Sequence, residues 1–135
     1  MVRARFILFF LFTNILFASG NDLIDSLKQE LHGKNKKKTA DIYYLIGDQF
    51  FPANSDSALV YTEQALRRYR EIGDQGDIYK CMGLLIGVYG ETGMSDTSIE
   101  IGFEVLKWAE ANQEYALYAN TCLEIGNSFA ILNNQ

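Results

Sequence analysis

Two cysteines, Cys81 and Cys122, and one histidine, His32, are the side chains of this 135-residue sequence best suited to nucleophilic, acid–base or soft-metal chemistry. Their spacing supports none of it. Two distant cysteines and a lone histidine do not make a zinc ligand set. His32 stands beside Gly33 with no serine, cysteine or carboxylate at motif spacing, so a catalytic triad has no base. Gly83, Gly87, Gly90 and Gly93 lack the closing Lys-Ser/Thr of a phosphate-binding loop and lie inside a helical pattern. Glu100 and Glu104 are four residues apart and read as one solvated helix face. The inventory therefore points to a non-enzymatic protein that needs no cofactor and no metal. Both cysteines fall in helical apolar patterns. They read either as buried small apolar groups or as a Cys81–Cys122 disulfide.

Helical periodicity supplies the elements that carry these residues. Leu23, Ile24, Leu27 and Leu31 mark a short amphipathic helix over Asn21–Leu31. Gly33–Lys38 reads as a solvated basic linker. Five helices are then expected, and no strand. The first spans Thr39–Phe51, with Ile42, Leu45, Ile46 and Phe50 inward, and Pro52 and Asn54 end it. The second, capped by Ser55 or Asp56, runs to Ile72 with Ala58, Leu59, Ala65, Leu66, Tyr69 and Ile72 inward. The third spans Gln75–Thr92, with Ile78, Met82, Leu85, Ile86 and Tyr89 inward. The fourth, capped by Ser95 or Asp96, runs to Asn112 on Ile99, Phe103, Val105, Leu106 and Ala109. The fifth spans Glu114–Leu132 on Leu117, Tyr118, Cys122, Ile125, Phe129 and Ala130. Such short turns make successive helices antiparallel neighbours.

Residues 1–20 read as a secretory signal peptide. Arg3 and Arg5 precede an apolar run from Phe6 to Phe17, and Ala18-Ser19-Gly20 supplies the small residues a signal peptidase reads. That run spans only about 18 Å as a helix, against a hydrocarbon core of about 30 Å. The mature chain is expected to be exported, to the periplasm or outside the cell, with no stable membrane insertion. Setting aside Arg3 and Arg5 leaves 10 basic against 17 acidic residues. From Asp41 onward, five basic residues face 14 acidic ones. So acidic a body excludes a nucleic-acid partner, which needs a basic surface to replace counterions.

The sequence also repeats. Asp56-Ser57-Ala58-Leu59…Ala65-Leu66 returns, weakened, 40 residues later as Asp96-Thr97-Ser98-Ile99…Val105-Leu106. A fixed period of this length marks stacked helical units that complete one another's core. Ile46-Gly47…Phe50 with Ala58…Ala65-Leu66 resembles a tetratricopeptide repeat. Leu85…Tyr89…Gly93 with Ser98…Val105-Leu106 resembles a second, and Ile125-Gly126…Phe129 the opening of a third. The resemblance runs from Thr39 to the C-terminus. Its 40-residue spacing exceeds the usual length of about 34 and resembles the long-helix variant, in which the second helix ends in Ile72-Gly73-Asp74. It departs in a first turn one residue short, in Ile86 at a small-residue position, and in Ser98 and Val105 where the family has alanine. The fold it implies is an all-α helical-hairpin solenoid. Repeat 1 covers residues 39–73, repeat 2 covers 75–112, and 114–135 is the first helix of repeat 3, after the 21–38 helix and linker.

The resemblance implies an exported scaffold that binds a protein or peptide in a concave groove lined by the first helix of each pair. The groove positions it implies are Asp41, Tyr44, Asp48 and Phe51, then Lys80, Gly83, Gly87, Gly90 and Glu91, then Asn120, Leu123 and Asn127. Leader, Asp25-Ser26-Leu27-Lys28 helix, lysine-rich linker and repeats together also resemble the exported N-terminal part of bacterial tetratricopeptide sensor proteins. That alternative implies a fragment: the input domain of a longer receptor whose output is a histidine kinase or a transcription regulator. The leader gives the first testable expectation. Mass spectrometry of the exported protein should find Asn21 as first residue, whereas intact Met1 in a soluble cytoplasmic form would overturn the export reading.

Overall fold

The computed structural model describes residues 20–31 and 35–134. The expected leader, Gly20 excepted, falls outside the described residues together with His32 and the linker residues Gly33 and Lys34. Among the described residues there are six helices and no strand. They are α1 (Gly20–Glu30), α2 (Lys36–Phe50), α3 (Ser55–Ile72), α4 (Gln75–Glu91), α5 (Ser95–Ala111) and α6 (Tyr115–Asn133).

Each helix packs on its neighbour in sequence, and α4 packs on α6 as well. The helices α3, α4, α5 and α6 start at Ser55, Gln75, Ser95 and Tyr115, a constant interval of 20 residues. The turns keep the same interval: Gly73, Gly93 and Gln113 all have left-handed backbone, at φ 85°, 81° and 61°. Glycine adopts that conformation freely. Gln113 adopts it as part of a turn closed by the Glu114 amide donating to the Ala109 carbonyl.

Several local expectations are corrected. Lys36, Lys37 and Lys38 are not linker but the first turn of α2, because Asn35 caps that helix by accepting from the Lys38 amide at 3.0 Å. The cap of α3 is Asn54, accepting from the Ser57 amide, rather than Ser55 or Asp56. Helix α4 is capped by Asp74. Met94 precedes α5 with no side-chain cap, and Ser95, expected as a cap, is buried instead.

The core centres on α4. Ile78, Cys81, Met82, Leu85 and Ile86 are buried there, against Ala65, Leu66 and Tyr69 of α3 and Val105 of α5. Leu85 and Ile86 are wholly buried, which contributes about 1.5–3 kcal/mol apiece. Tyr89 is half-buried against this cluster and Leu106 is half-buried. A second cluster forms where Ile24 of α1 meets Ile42 and Ile46 of α2, so α1 covers the outer end of the helix row.

Periodicity misplaced one face of α5 and one of α6. Phe103 is 57% exposed, and α5 turns Ser95, Ser98, Gly102, Val105 and Ala109 inward. In α6, Tyr118, Cys122, Phe129 and Ala130 are exposed, while Thr121, Ile125 and Ser128 are buried. Leu45 and Ile72 are also exposed. Both cysteines are free: Cys81 is buried with its thiol on the Thr62 carbonyl, and Cys122 is exposed, so neither a disulfide nor a buried pair forms.

Close approach explains the inward small residues. A Cβ added to Gly102 would lie 2.5 Å from Cγ1 of Ile125. One added to Gly47 would collide with the Thr62 hydroxyl and lie 3.1 Å from the Thr62 backbone nitrogen. Alanine ordinarily gains about 1 kcal/mol over glycine inside a helix. At position 47 the clash should dominate, so Gly47→Ala is expected to lose about 1–3 kcal/mol through overpacking. Urea denaturation checks this, and an unchanged or raised midpoint would contradict the α2–α3 contact.

Candidate functional site

A groove of about 640 Å³ opens between α2, α4 and α6, with Trp108 of α5 also in its lining. Eight of the twelve groove residues implied by the sequence line it: Tyr44, Asp48, Phe51, Lys80, Gly83, Gly87, Asn120 and Leu123. Four do not. Asp41 accepts from the Tyr69 hydroxyl at 2.8 Å and pairs with Lys37 at 3.4 Å, which ties it to its neighbours. Gly90 is buried, and a Cβ there would lie 3.0 Å from the Ser128 hydroxyl. Glu91 is exposed in the last turn of α4. Asn127 is exposed and donates to Glu124 at 3.4 Å.

The glycine stripe of α4 therefore divides. Gly90 is a packing glycine against α6. Gly87 is buried on the groove floor, where a Cβ would lie 3.0 Å from Cζ of Phe51 and 3.3 Å from the Glu124 carboxyl carbon. Gly83 lies further along the floor, 2.6 Å in the same sense from Cδ1 of Leu117.

Sequence reasoning missed several lining groups. Trp108 lines the groove and stacks on Tyr79, with ring centroids 4.5 Å apart and planes 10° from parallel. Asp74, Asp77, Glu114 and Glu124 add carboxylates. Asp74 was legible as a helix terminus but not as a wall residue, since chain folding alone brings it opposite α6. Thr121 lies in the groove wall with a buried hydroxyl that has no hydrogen-bond partner. It stands one position from Asn120, but its inward orientation is set by packing.

Cations already rest on this face. The Lys80 ammonium lies 5.0 Å from the centre of the Tyr44 ring. Lys37 bridges Asp41 and Asp77 and lies 5.0 Å from the Tyr69 ring. Burial, then the nearby Asp48 carboxylate, pushes the Tyr44 hydroxyl up to about 12. Burial and the hydrogen bond to Asp41 raise Tyr69 further, and burial pushes the Cys81 thiol up to about 12.

No group of three or more His, Cys, Asp or Glu among the described residues is arranged to hold a metal ion. No described helix is long and apolar enough to cross a membrane. Neither a protein-family model nor a curated protein matches the chain.

The raised groups make stability pH-dependent. The thiol and hydroxyls are neutral in both states below their ordinary values of 9.0 and 10.0. Above those values the unfolded chain releases protons that the folded chain retains, so stability falls as pH rises. Urea midpoints should be level up to pH 9.0 and decline from there to about 12, with a smaller decline for Tyr69→Phe. A level profile across that range would mean that these groups titrate freely in the fold.

Proposed function

We propose that this protein is an exported, non-enzymatic scaffold of the tetratricopeptide type, and that the groove between α2, α4 and α6 holds a segment of a partner protein. In this reading α2–α3 and α4–α5 are two helix pairs and α6 opens a third. The constant 20-residue interval between helix starts supports it, as does the contact of α4 with both α5 and α6. The observation that carries it is the groove, whose walls come mainly from α2, α4 and α6, the first helix of each pair. Its volume suits a short stretch of chain rather than a whole helix, since clefts of roughly 300–1,000 Å³ hold drug-sized ligands. Exposed amides such as Asn120 offer hydrogen bonds to a peptide backbone, while Tyr44, Phe51 and Leu117 offer apolar contact. In this reading residues 1–20 act as a leader, and the groove meets its partner outside the cytoplasm.

Peptide-library selection on the full chain, followed by amide chemical-shift mapping of a selected peptide, tests this reading. Shifts should concentrate at Tyr44, Lys80 and Asn120. Asn120→Trp fills the groove from an exposed position and should weaken binding about tenfold or more, the effect of about 1.4 kcal/mol, with no change in melting temperature. Shifts centred instead on Glu63, Arg70 and Tyr89, which line a separate cavity on α3 and α4, would overturn it.

A further inference from the structure

Charge in the groove is one-sided. Asp48, Asp74, Asp77, Glu114 and Glu124 line it against a single basic residue, Lys80. Three of these carboxylates have partners: Asp74 caps α4, Asp77 holds Lys37, and Glu124 accepts from Asn127 at 3.4 Å. Asp48, Glu114 and Glu124 have no basic side chain within ion-pair distance among the described residues. Lys80 does not reach one either, lying over the Tyr44 ring. A second, independent feature is Thr121. It is 1% exposed, it lines the same groove, and its hydroxyl has no partner. A buried hydroxyl left unpaired is unfavourable, and a hydrogen-bonding group of a ligand is the kind of partner it lacks.

We propose that the groove selects an extended peptide segment bearing arginine or lysine side chains, a proposal that rests on the peptide-binding reading above. The carboxylates do not converge as a metal site requires, so they suit positive charges spaced along a chain. The aromatic lining suits the same ligand. Guanidinium planes stack on aromatic faces, and Phe51 and Trp108 stand in this wall beside the carboxylates. Lys37, held between Asp41 and Asp77 and over Tyr69, shows the same carboxylate-and-ring arrangement already closed on an ammonium of the chain itself. The Phe51 ring and the Glu124 carboxyl both lie against Gly87. A cationic side chain entering there would meet charge and ring together. Lys80 opposes such a ligand and sets a limit on its affinity.

Fluorescence anisotropy on the full chain tests this with a labelled peptide of about ten residues that alternates arginine and alanine. The comparison ligands are the same peptide with glutamate for arginine, a neutral glutamine version, and spermine. The arginine peptide should bind, weaken as salt rises, and exceed the glutamate version by at least about 25-fold, as two near-surface charge pairs of about 1 kcal/mol each imply. Asp48→Asn and Glu124→Gln should each weaken it about fivefold, and Lys80→Ala should tighten it about threefold, by the same Coulomb estimate. Glu71→Gln, at the separate cavity, should leave it unchanged. Asp48 is exposed, so its variant retains the fold, and the salt dependence needs no variant. Equal binding of the glutamine peptide, still mapped to the groove, would overturn the charge selection alone and leave the peptide-binding reading intact. Spermine binding as tightly as the arginine peptide would also overturn it, in favour of a small polycation. No binding by the arginine peptide would overturn the charge selection, and failure of the peptide library to yield a groove-bound peptide as well would overturn both.

Discussion

Helix α4 is enclosed by α3, α5 and α6, and that enclosure depends on α5 turning mostly small side chains inward. The inward positions of α5 are Ser95, Ser98, Gly102, Val105 and Ala109. They leave room for Leu85 and Ile86, which fill the centre of the molecule, and for Ile125 of α6, which sits over Gly102. Large residues on α4 and α6 are thus matched to small ones on α5. Interiors packed to crystal-like density allow few alternatives, because an added methyl group has nowhere to go.

The small inward residues bring polarity with them, and the fold satisfies most of it locally. Ser98 donates to the Ile86 carbonyl at 2.7 Å and lies 2.8 Å from the Ser128 hydroxyl. A hydroxyl has one proton, so with that of Ser98 engaged, Ser128 must be the donor between the two serines. The chain from Ser128 through Ser98 to Ile86 links α6, α5 and α4 through buried groups. Thr62 follows the same economy, donating to its own helix at Ala58. The buried hydroxyls of Ser95 and Thr121 have no partner among the described residues, and of the two only Thr121 lines the groove.

The groove follows from where this close packing stops. Near Gly90, α4 and α6 meet tightly through Ser128. Near Gly83 and Gly87 the contacts are made by the ends of longer side chains, Leu117, Phe51 and Glu124, and space remains between the helices. One stripe of glycines therefore does two jobs, closing the helix pair at one end and flooring an open cleft at the other.

The helix content, the turns and the 40-residue period were legible in the sequence, because glycine, asparagine and aspartate act through local backbone chemistry. Gly73, Gly93, Asn54 and Asp74 each act within a few residues of their own position. So were the inward residues of α4, where apolar side chains dominate one face. The orientations of α5 and α6 were not. Their apolar residues are distributed around the whole helix, so periodicity selected Phe103, Tyr118 and Phe129, which are exposed. Which face of such a helix turns inward depends on the volume its neighbours leave, and here small residues fill most of the inward positions: Ser95, Ser98, Gly102 and Ala109 on α5, Thr121 and Ser128 on α6. The same holds for the groove. The resemblance implied eight of its lining residues, Asn120 and Leu123 of α6 among them, but Trp108, Thr121 and Glu124 join it through the rotation of α5 and α6 that packing against Ile86 and Gly90 imposes.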